Sequence, residues 1–377
     1  MSASSFRLSL TIAATALAAL CGCQKKDASR YTKDGLFIVR IPTPTGYAVY
    51  QIADSLGLWK EEGLKAEYTG VLTPGTEVPA ALSGKIDLVG GHPNGIIKAR
   101  LAGAKITAVV VGMVDDSTNP HIVYHVRKAS GITGIEGFLE LAKHRKIKVA
   151  VSSRNTCSDW YFDEWLARGG VQEKDLDWQI MPAKQQLEAL SKGLVDVVTT
   201  HPPFIAAADA DTNFHRVLSS FDILKDPAAG AALGGFTDKF LKRYPKQVAA
   251  YIRVVRKAHK WSNAHPDSAR ILFGKIFHLP PERVSVFQFS KRDWINDSDI
   301  NPWIERQIAH KDIKPGTKIK ASDIYTNEFN NYWKDAGKPN TVFSIQEPKT
   351  AVVPRKVPGL VERILGIEAT ALRTAGR

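Results

Sequence analysis

Ala81-Leu82-Ser83-Gly84-Lys85-Ile86-Asp87-Leu88-Val89-Gly90-Gly91-His92-Pro93 has a second copy in Ala189-Leu190-Ser191-Lys192-Gly193-Leu194-Val195-Asp196-Val197-Val198-Thr199-Thr200-His201-Pro202. In each copy a helix end runs through Gly into a short apolar strand, and His-Pro closes the phrase. The step from Asp to His is five residues both times. A repeated unit of this kind predicts two similar α/β lobes, each presenting one His at the carboxyl end of a strand. In open α/β sheets that end is where ligands bind. The repeat therefore predicts a cleft between two lobes, with His92 and His201 on its rims.

Working outward, apolar periodicity alternates between strand and helix along most of the chain. Residues 36–41 read as a buried strand and 47–56 as a helix with Val49, Ile52, Ala53 and Leu56 on one face. Strands follow near 65–68 and 86–90, and Asn94 is expected to cap a helix that ends at Leu101. The β-branched run 106–114 reads as a central strand, and 121–126 as a strand leaving the first lobe. After a Gly- and Ser-containing joint at 127–134, the alternation starts again and runs to a short strand at 216–219. Residues 230–235 are expected to carry the chain back. Amphipathic helices are read at 245–262, 266–277 and 321–335, and a last one at 359–372. This pattern gives an α/β fold with a mixed sheet flanked by helices in each lobe. Lobe one spans 36–126 plus 230–335, lobe two spans 127–229, and 336–377 form a C-terminal extension.

A chain of 377 residues has room for two domains. The net charge of +13 fits nucleic-acid binding, an acidic membrane surface or the steering of anions. No zinc-finger spacing, RNA-recognition signature or long Lys/Arg run is present, and the positive charges are interspersed with acidic ones, so no nucleic-acid partner is expected. At the N-terminus, Arg7 precedes an apolar stretch over 8–20 that is too short for a comfortable membrane span. Leu20-Cys21-Gly22-Cys23 then resembles a bacterial lipobox. Residues 1–22 are read as a lipoprotein signal peptide, Cys23 as the lipidated residue, and 23–35 as a tether. The alternative is an ordinary signal peptide with incidental cysteines. Of three cysteines only Cys157 lies elsewhere, so the mature protein has no internal disulfide.

The segment Ala53-Asp54-Ser55-Leu56-Gly57-Leu58-Trp59-Lys60-Glu61-Glu62-Gly63-Leu64 resembles an A-x-x-x-G-x-[FW]-x-x-E-G-L signature. Ala80 to Asp87, Ala99 to Ile106 and Gly170 to Leu176 resemble three further elements of the same family, in the same order. That family comprises the periplasmic substrate-binding proteins of nitrate, taurine, aliphatic-sulfonate and bicarbonate ABC importers, with relatives that bind pyrimidine precursors. The resemblance covers roughly 36–335. It implies a type II-like periplasmic binding protein fold whose hinged cleft closes on a small solute. It also implies docking on a permease and its ATPase. Candidate hinges are 127–134 and 230–235, and a monomer is expected.

Strand-to-helix turns supply the candidate ligand contacts, because helix N-termini present unpaired N–H groups to anions. The first turn offers Thr43, Thr45 and Tyr47, and the second Gly91, His92 and Asn94. The third offers Ser153, Arg154, Asn155, Thr156, Ser158 and Trp160, and the fourth Thr200 and His201. The third is richest, since Arg154 supplies a planar fork for a carboxylate or sulfonate. Tyr47 and Trp160 are candidate aromatic walls. Asp87 and Asp196 are assigned to turns and strand edges. No catalytic residue, cofactor or metal is expected. Cys157 and Asp159 beside the histidines are the minor metal-binding alternative.

The sequence thus points to a lipid-anchored extracytoplasmic receptor that delivers a small anionic solute, a sulfonate or carboxylate or nitrate or bicarbonate, to an ABC importer. The alternatives are a pyrimidine-precursor binder or related synthase-like enzyme, and a sensory receptor without transport. Such synthases carry a Cys-rich motif, whereas Cys157 stands alone. Replacing Cys23 with Ser is expected to move the protein from membrane to soluble fractions; persistent membrane association would defeat the lipobox assignment.

Overall fold

The computed structural model describes residues 28–43, 49–72, 75–292 and 294–330. The expected signal peptide, Cys23, the C-terminal extension with its helix at 359–372, and the candidate ligand residues Thr45 and Tyr47 lie outside them. The first lobe opens with β1 (Phe37–Ile41), α1 (Val49–Ser55), α2 (Leu58–Glu61), β2 (Leu64–Tyr68), α3 (Glu77–Leu82), β3 (Leu88–Gly91), α4 (Pro93–Leu101), β4 (Ile106–Val111) and β5 (Met113–Val114). The second contains β6 (Val123–Arg127), α5 (Ile135–His144), β7 (Ile147–Val151), α6 (Cys157–Arg168), β8 (Leu176–Ile180), α7 (Ala183–Ser191), β9 (Val197–Thr200), α8 (Ile205–Asp209), β10 (Phe214–Ser219) and α9 (Ser220–Leu224). The chain then returns through β11 (Leu233–Thr237), α10 (Asp238–Arg243), α11 (Pro245–Ala264), α12 (Pro266–Phe277), β12 (Gln288–Phe289) and α13 (Asn301–Ala309).

Parallel strands β1 and β2 pair with each other, and β3-β11-β4 form a three-stranded sheet with β11 antiparallel to both neighbours. The other lobe is built on a five-stranded sheet in the order β10-β6-β9-β7-β8. Its β9, β7 and β8 are parallel, whereas β6 runs against both β9 and β10.

Several expectations change here. All six residues of β4 are buried, but β4 is not the middle strand; β11 takes that place. The outer edge of β4 is covered by the C-terminal segment: Ala108 N–H donates to the Ile324 carbonyl, and Thr326 N–H donates to the Ala108 carbonyl, both at 2.9 Å. This edge pairing replaces the helix expected over 321–335, of which a single 3-10 turn, Ala321–Asp323, remains among the described residues. A strand edge with unpaired amides demands a partner, and that demand outweighs the helical spacing of Ile324, Tyr325 and Phe329. Strand β6 pairs within the five-stranded sheet. The lobe change therefore precedes it, between Val114 and Val123, and the joint expected at 127–134 follows it.

The two copies of the repeat fold alike. Gly84 and Gly193 end their helices at φ +78° and +70°, a left-handed conformation that favours glycine. Lys85 N–H bonds the Ala80 carbonyl and Leu194 N–H bonds the Ala189 carbonyl, each at 2.9 Å. Asp87 then stitches its strand to β1: its N–H donates to the Arg40 carbonyl and its carboxylate accepts from Arg40 N–H. Asp196 makes the same pair of bonds with Lys148 on β7. Guanidinium groups complete each carboxylate, Arg30 and Arg40 for Asp87 and Arg145 for Asp196. Both aspartates hold strand edges together.

Two chain crossings connect the lobes, 115–122 outward and 225–232 on return. They touch backbone to backbone. A Cβ on Gly230 would lie 2.7 Å from the Asp115 nitrogen and 2.8 Å from the Val114 carbonyl carbon. Asp115 N–H donates to the Pro227 carbonyl at 3.0 Å, beside that contact. Replacing Gly230 with Ala is expected to cost about 1–3 kcal/mol through overpacking. Urea denaturation of wild type and variant measures the loss, and an unchanged midpoint with unchanged slope contradicts it.

Candidate functional site

The strand ends named by the repeat meet at the crossings. His92 is the N-cap residue of α4, at the end of β3, so the cap position expected for Asn94 falls two residues earlier. Its Nδ1 lies 2.8 Å from the Ala231 carbonyl oxygen of the returning crossing. Because a carbonyl only accepts, Nδ1 carries the proton and Nε2 the lone pair. His121, on the outward crossing, lies between the two expected histidines: its ring centroid is 5.5 Å from that of His92 and 6.3 Å from that of His201. His201 follows β9, and its Nε2 is 3.5 Å from Ser158 Oγ. Trp303 of α13 stacks on His92 at 4.8 Å.

Neighbouring elements also hold the returning crossing by its carbonyls. Trp303 Nε1 donates to Ala228 at 3.0 Å and Tyr161 OH donates to Ala229 at 2.8 Å. With His92 on Ala231, three rings from α13, α6 and the start of α4 fix one short backbone stretch. Buried carbonyls without partners are costly, so these bonds set the crossing's path.

A cavity of about 270 Å³ opens beside His92 on the first lobe's side. Its walls include Tyr50, Tyr251, Val110, Met113 and Leu233, with Thr43 and Gly91 at the strand ends. The Tyr50 and Tyr251 hydroxyls lie 3.2 Å apart, and burial pushes the Tyr50 phenol up to about 12. Glu77 is the one charged residue that lines it among the described residues.

In the third turn, where an anion site is expected, the chain supplies a carboxylate of its own. Asp159, itself buried, accepts from Asn155 N–H and Thr156 N–H, each at 2.7 Å. Arg154 bonds Asp159 at 2.8 Å and Glu173 at 2.9 Å, and lies over the Trp178 ring at 4.3 Å. A carboxylate of the chain thus occupies the helix N-terminus. Ser153 sits half-buried on the same turn. Thr200 is 1% exposed, and its hydroxyl donates to the Val123 carbonyl and lies 3.0 Å from His125 Nδ1. Trp160 is buried and stacks on His310. Asn94 Nδ2 donates to the Asn155 carbonyl at 3.2 Å, a bond that joins the lobes. Thr43, Gly91, His92, Ser158 and His201 therefore gather around the crossings. Arg154, Asn155, Thr156, Trp160 and Thr200 are engaged by the fold.

His121, Tyr161, Tyr50, Tyr251 and Trp303 were not singled out from the sequence. His121 follows Asn119-Pro120, which reads as a turn, and only the meeting of the crossings gives it neighbours. The donor atoms of His92, His121 and Cys157 lie within 4.8 Å of one another.

Two α/β lobes joined by paired crossings, with a cavity at the strand ends of the first, are the periplasmic binding protein fold. Residues 41–274 match the profile of the NMT1-like family, and the chain belongs to that family. Similar solved structures share the fold at low identity. The Escherichia coli periplasmic aliphatic sulphonate binding protein SsuA aligns at TM-score 0.61 and 15% identity, covering 85% of this chain and 98% of its own. The Synechocystis PCC 6803 periplasmic nitrate-binding protein NrtA aligns at 0.63 and 15%, with 79% and 87% covered. A zinc-bound ligand-binding component of an ABC-type import system from Staphylococcus aureus aligns at 0.64 and 14%, with 79% and 98% covered. No curated protein matches the chain. No helix among the described residues is long and apolar enough to cross a membrane.

Removal from water, and next to it the neighbouring His121, pull His92 down from 6.5 to about 3. Desolvation, followed by His121 and His92, does the same to His201. Both rings are neutral at pH 7. Below about pH 6.5 the unfolded chain takes up protons that the folded one refuses, so stability falls as pH drops from there toward 3. The thermal midpoint is expected to decline between about pH 7 and 5. In a His92→Gln, His201→Gln double variant that decline flattens, and an undiminished slope removes these rings as its source.

Proposed function

We propose that the protein is an extracytoplasmic solute receptor, anchored through Cys23, that closes its lobes on a small organic molecule and presents it to an ABC importer. The single observation that carries this reading is the cavity beside His92, at the strand ends of the first lobe and against the returning crossing. Family membership and the import-system proteins that share the fold support it. Closure is supported by Asn94 reaching across to Asn155.

The lining selects the class of solute. The cavity walls are largely aromatic and aliphatic, with Glu77 as their charged member. A bare inorganic anion placed there loses its hydration and meets a carboxylate instead of a cation. The net charge of +13 belongs to the whole chain and does not describe this wall. A solute with an apolar or aromatic body fits better, its polar edge set against the Tyr50–Tyr251 pair and the His92 ring. Among the classes the sequence left open, aromatic carboxylates and pyrimidines meet that description, and nitrate and bicarbonate do not.

A thermal-shift screen across nitrate, bicarbonate, taurine, larger sulfonates, aromatic carboxylates and pyrimidines tests this assignment. A true ligand at about a hundred times its dissociation constant adds about 2.7 kcal/mol of stability. Stabilisation is expected from the aromatic classes, with loss of binding in Tyr251→Phe. Stabilisation by nitrate or bicarbonate alone overturns the assignment.

A further inference from the structure

We propose that His92, His121 and Cys157 form a binding site for a borderline divalent transition-metal cation, of which Zn²⁺ is the best fit, held across the cleft. The three donor atoms lie within 4.8 Å of one another. In a tetrahedral site with about 2.1 Å bonds to nitrogen and 2.3 Å to sulfur, they would stand about 3.5 Å apart. Side-chain rotation and an ångström of lobe approach close that difference.

A second, independent observation comes from His121. It is 1% exposed, yet neither ring nitrogen has a hydrogen-bond partner. A buried imidazole with both nitrogens unsatisfied is expensive unless something else completes it. Asp115 Oδ1 lies 3.3 Å from Nδ1, outside hydrogen-bond geometry, and its other oxygen, Oδ2, is also unpartnered. With Asp115 on the Nδ1 side, Nε2 is left for a cation, and a bound cation would draw Nδ1–H onto the carboxylate. His92 is oriented in the same manner, with Nδ1–H on the Ala231 carbonyl and Nε2 as the open donor. Such outer bonds orient metal-binding imidazoles and raise their basicity.

Two imidazoles and a thiolate select borderline cations over Mg²⁺ and Ca²⁺, which prefer oxygen. Burial, with Asp159 nearby, pushes the Cys157 thiol up in the metal-free protein. Binding therefore exchanges that proton for the cation, which supplies the charge that stabilises the thiolate. His92 belongs to the first lobe, Cys157 to the second and His121 to the outward crossing. Occupancy would tie all three together and leave a fourth coordination position for water or a solute group. The inference stands on this donor geometry and goes beyond the solute class proposed above.

The test uses the full chain with Cys21 and Cys23 replaced by Ser, so that Cys157 is the one thiol. After chelator treatment, calorimetric titration with Zn²⁺ and no organic solute is expected to show one-to-one uptake. Co²⁺ is expected to give an intense near-ultraviolet thiolate-to-cobalt band. Cys157→Ser should abolish that band, and His92→Gln should weaken Zn²⁺ at least tenfold; the second variant carries the test if the first does not fold. Absence of uptake, or a band that survives in Cys157→Ser, overturns the proposal. The solute screen, run on chelator-treated protein, can fail without affecting this result.

Discussion

Backbone contact between the two crossings is the constraint on which the molecule depends. Gly230 packs directly on Val114 and Asp115, at a separation that leaves no room for a side chain. The candidate site is hung from that contact. His121 leaves the outward crossing six residues after Asp115, whose carboxylate accepts the His121 N–H at 2.9 Å. The returning crossing is held by Trp303, Tyr161 and His92, and it leads directly into β11, the middle strand of the first lobe's sheet. One tight crossing thus positions both the cavity wall and the histidine cluster.

The repeated phrase was legible because its chemistry is local. Gly, two residues and Asp encode a helix stop, a left-handed turn and a carboxylate that clamps the next strand, and both copies carry this out with matching bonds. The position of each His follows from that fixed spacing. What the sequence could not show is long-range competition for partners. Arg154 and Asp159 are five residues apart and read as an anion-binding fork and a minor candidate metal ligand; folded, the carboxylate takes the turn's amides and the guanidinium together. The apolar residues near Ile324 have helical spacing, but the open edge of β4 recruits their backbone. Strand β6 reads equally well as the last strand of one lobe or the first of the next, and only its pairing with β9 and β10 decides.

The cavity and the histidine cluster adjoin one another through His92, which lines the first and contributes to the second. A ring shared in this way couples what enters the cavity to the state of the crossings. Trp303 is part of the same coupling, since it stacks on His92 and bonds the returning crossing from α13. Helix α13 therefore belongs to the packing of the cleft.

Asp159 has a wider meaning for the chemistry of the cleft. By seating its own carboxylate on the amides at the start of α6, the chain carries a permanent occupant of the berth that an acidic guest would claim. Sulfate, phosphate or chloride then meets a carboxylate at that berth, and the neighbouring hollow presents a softer, mostly apolar wall.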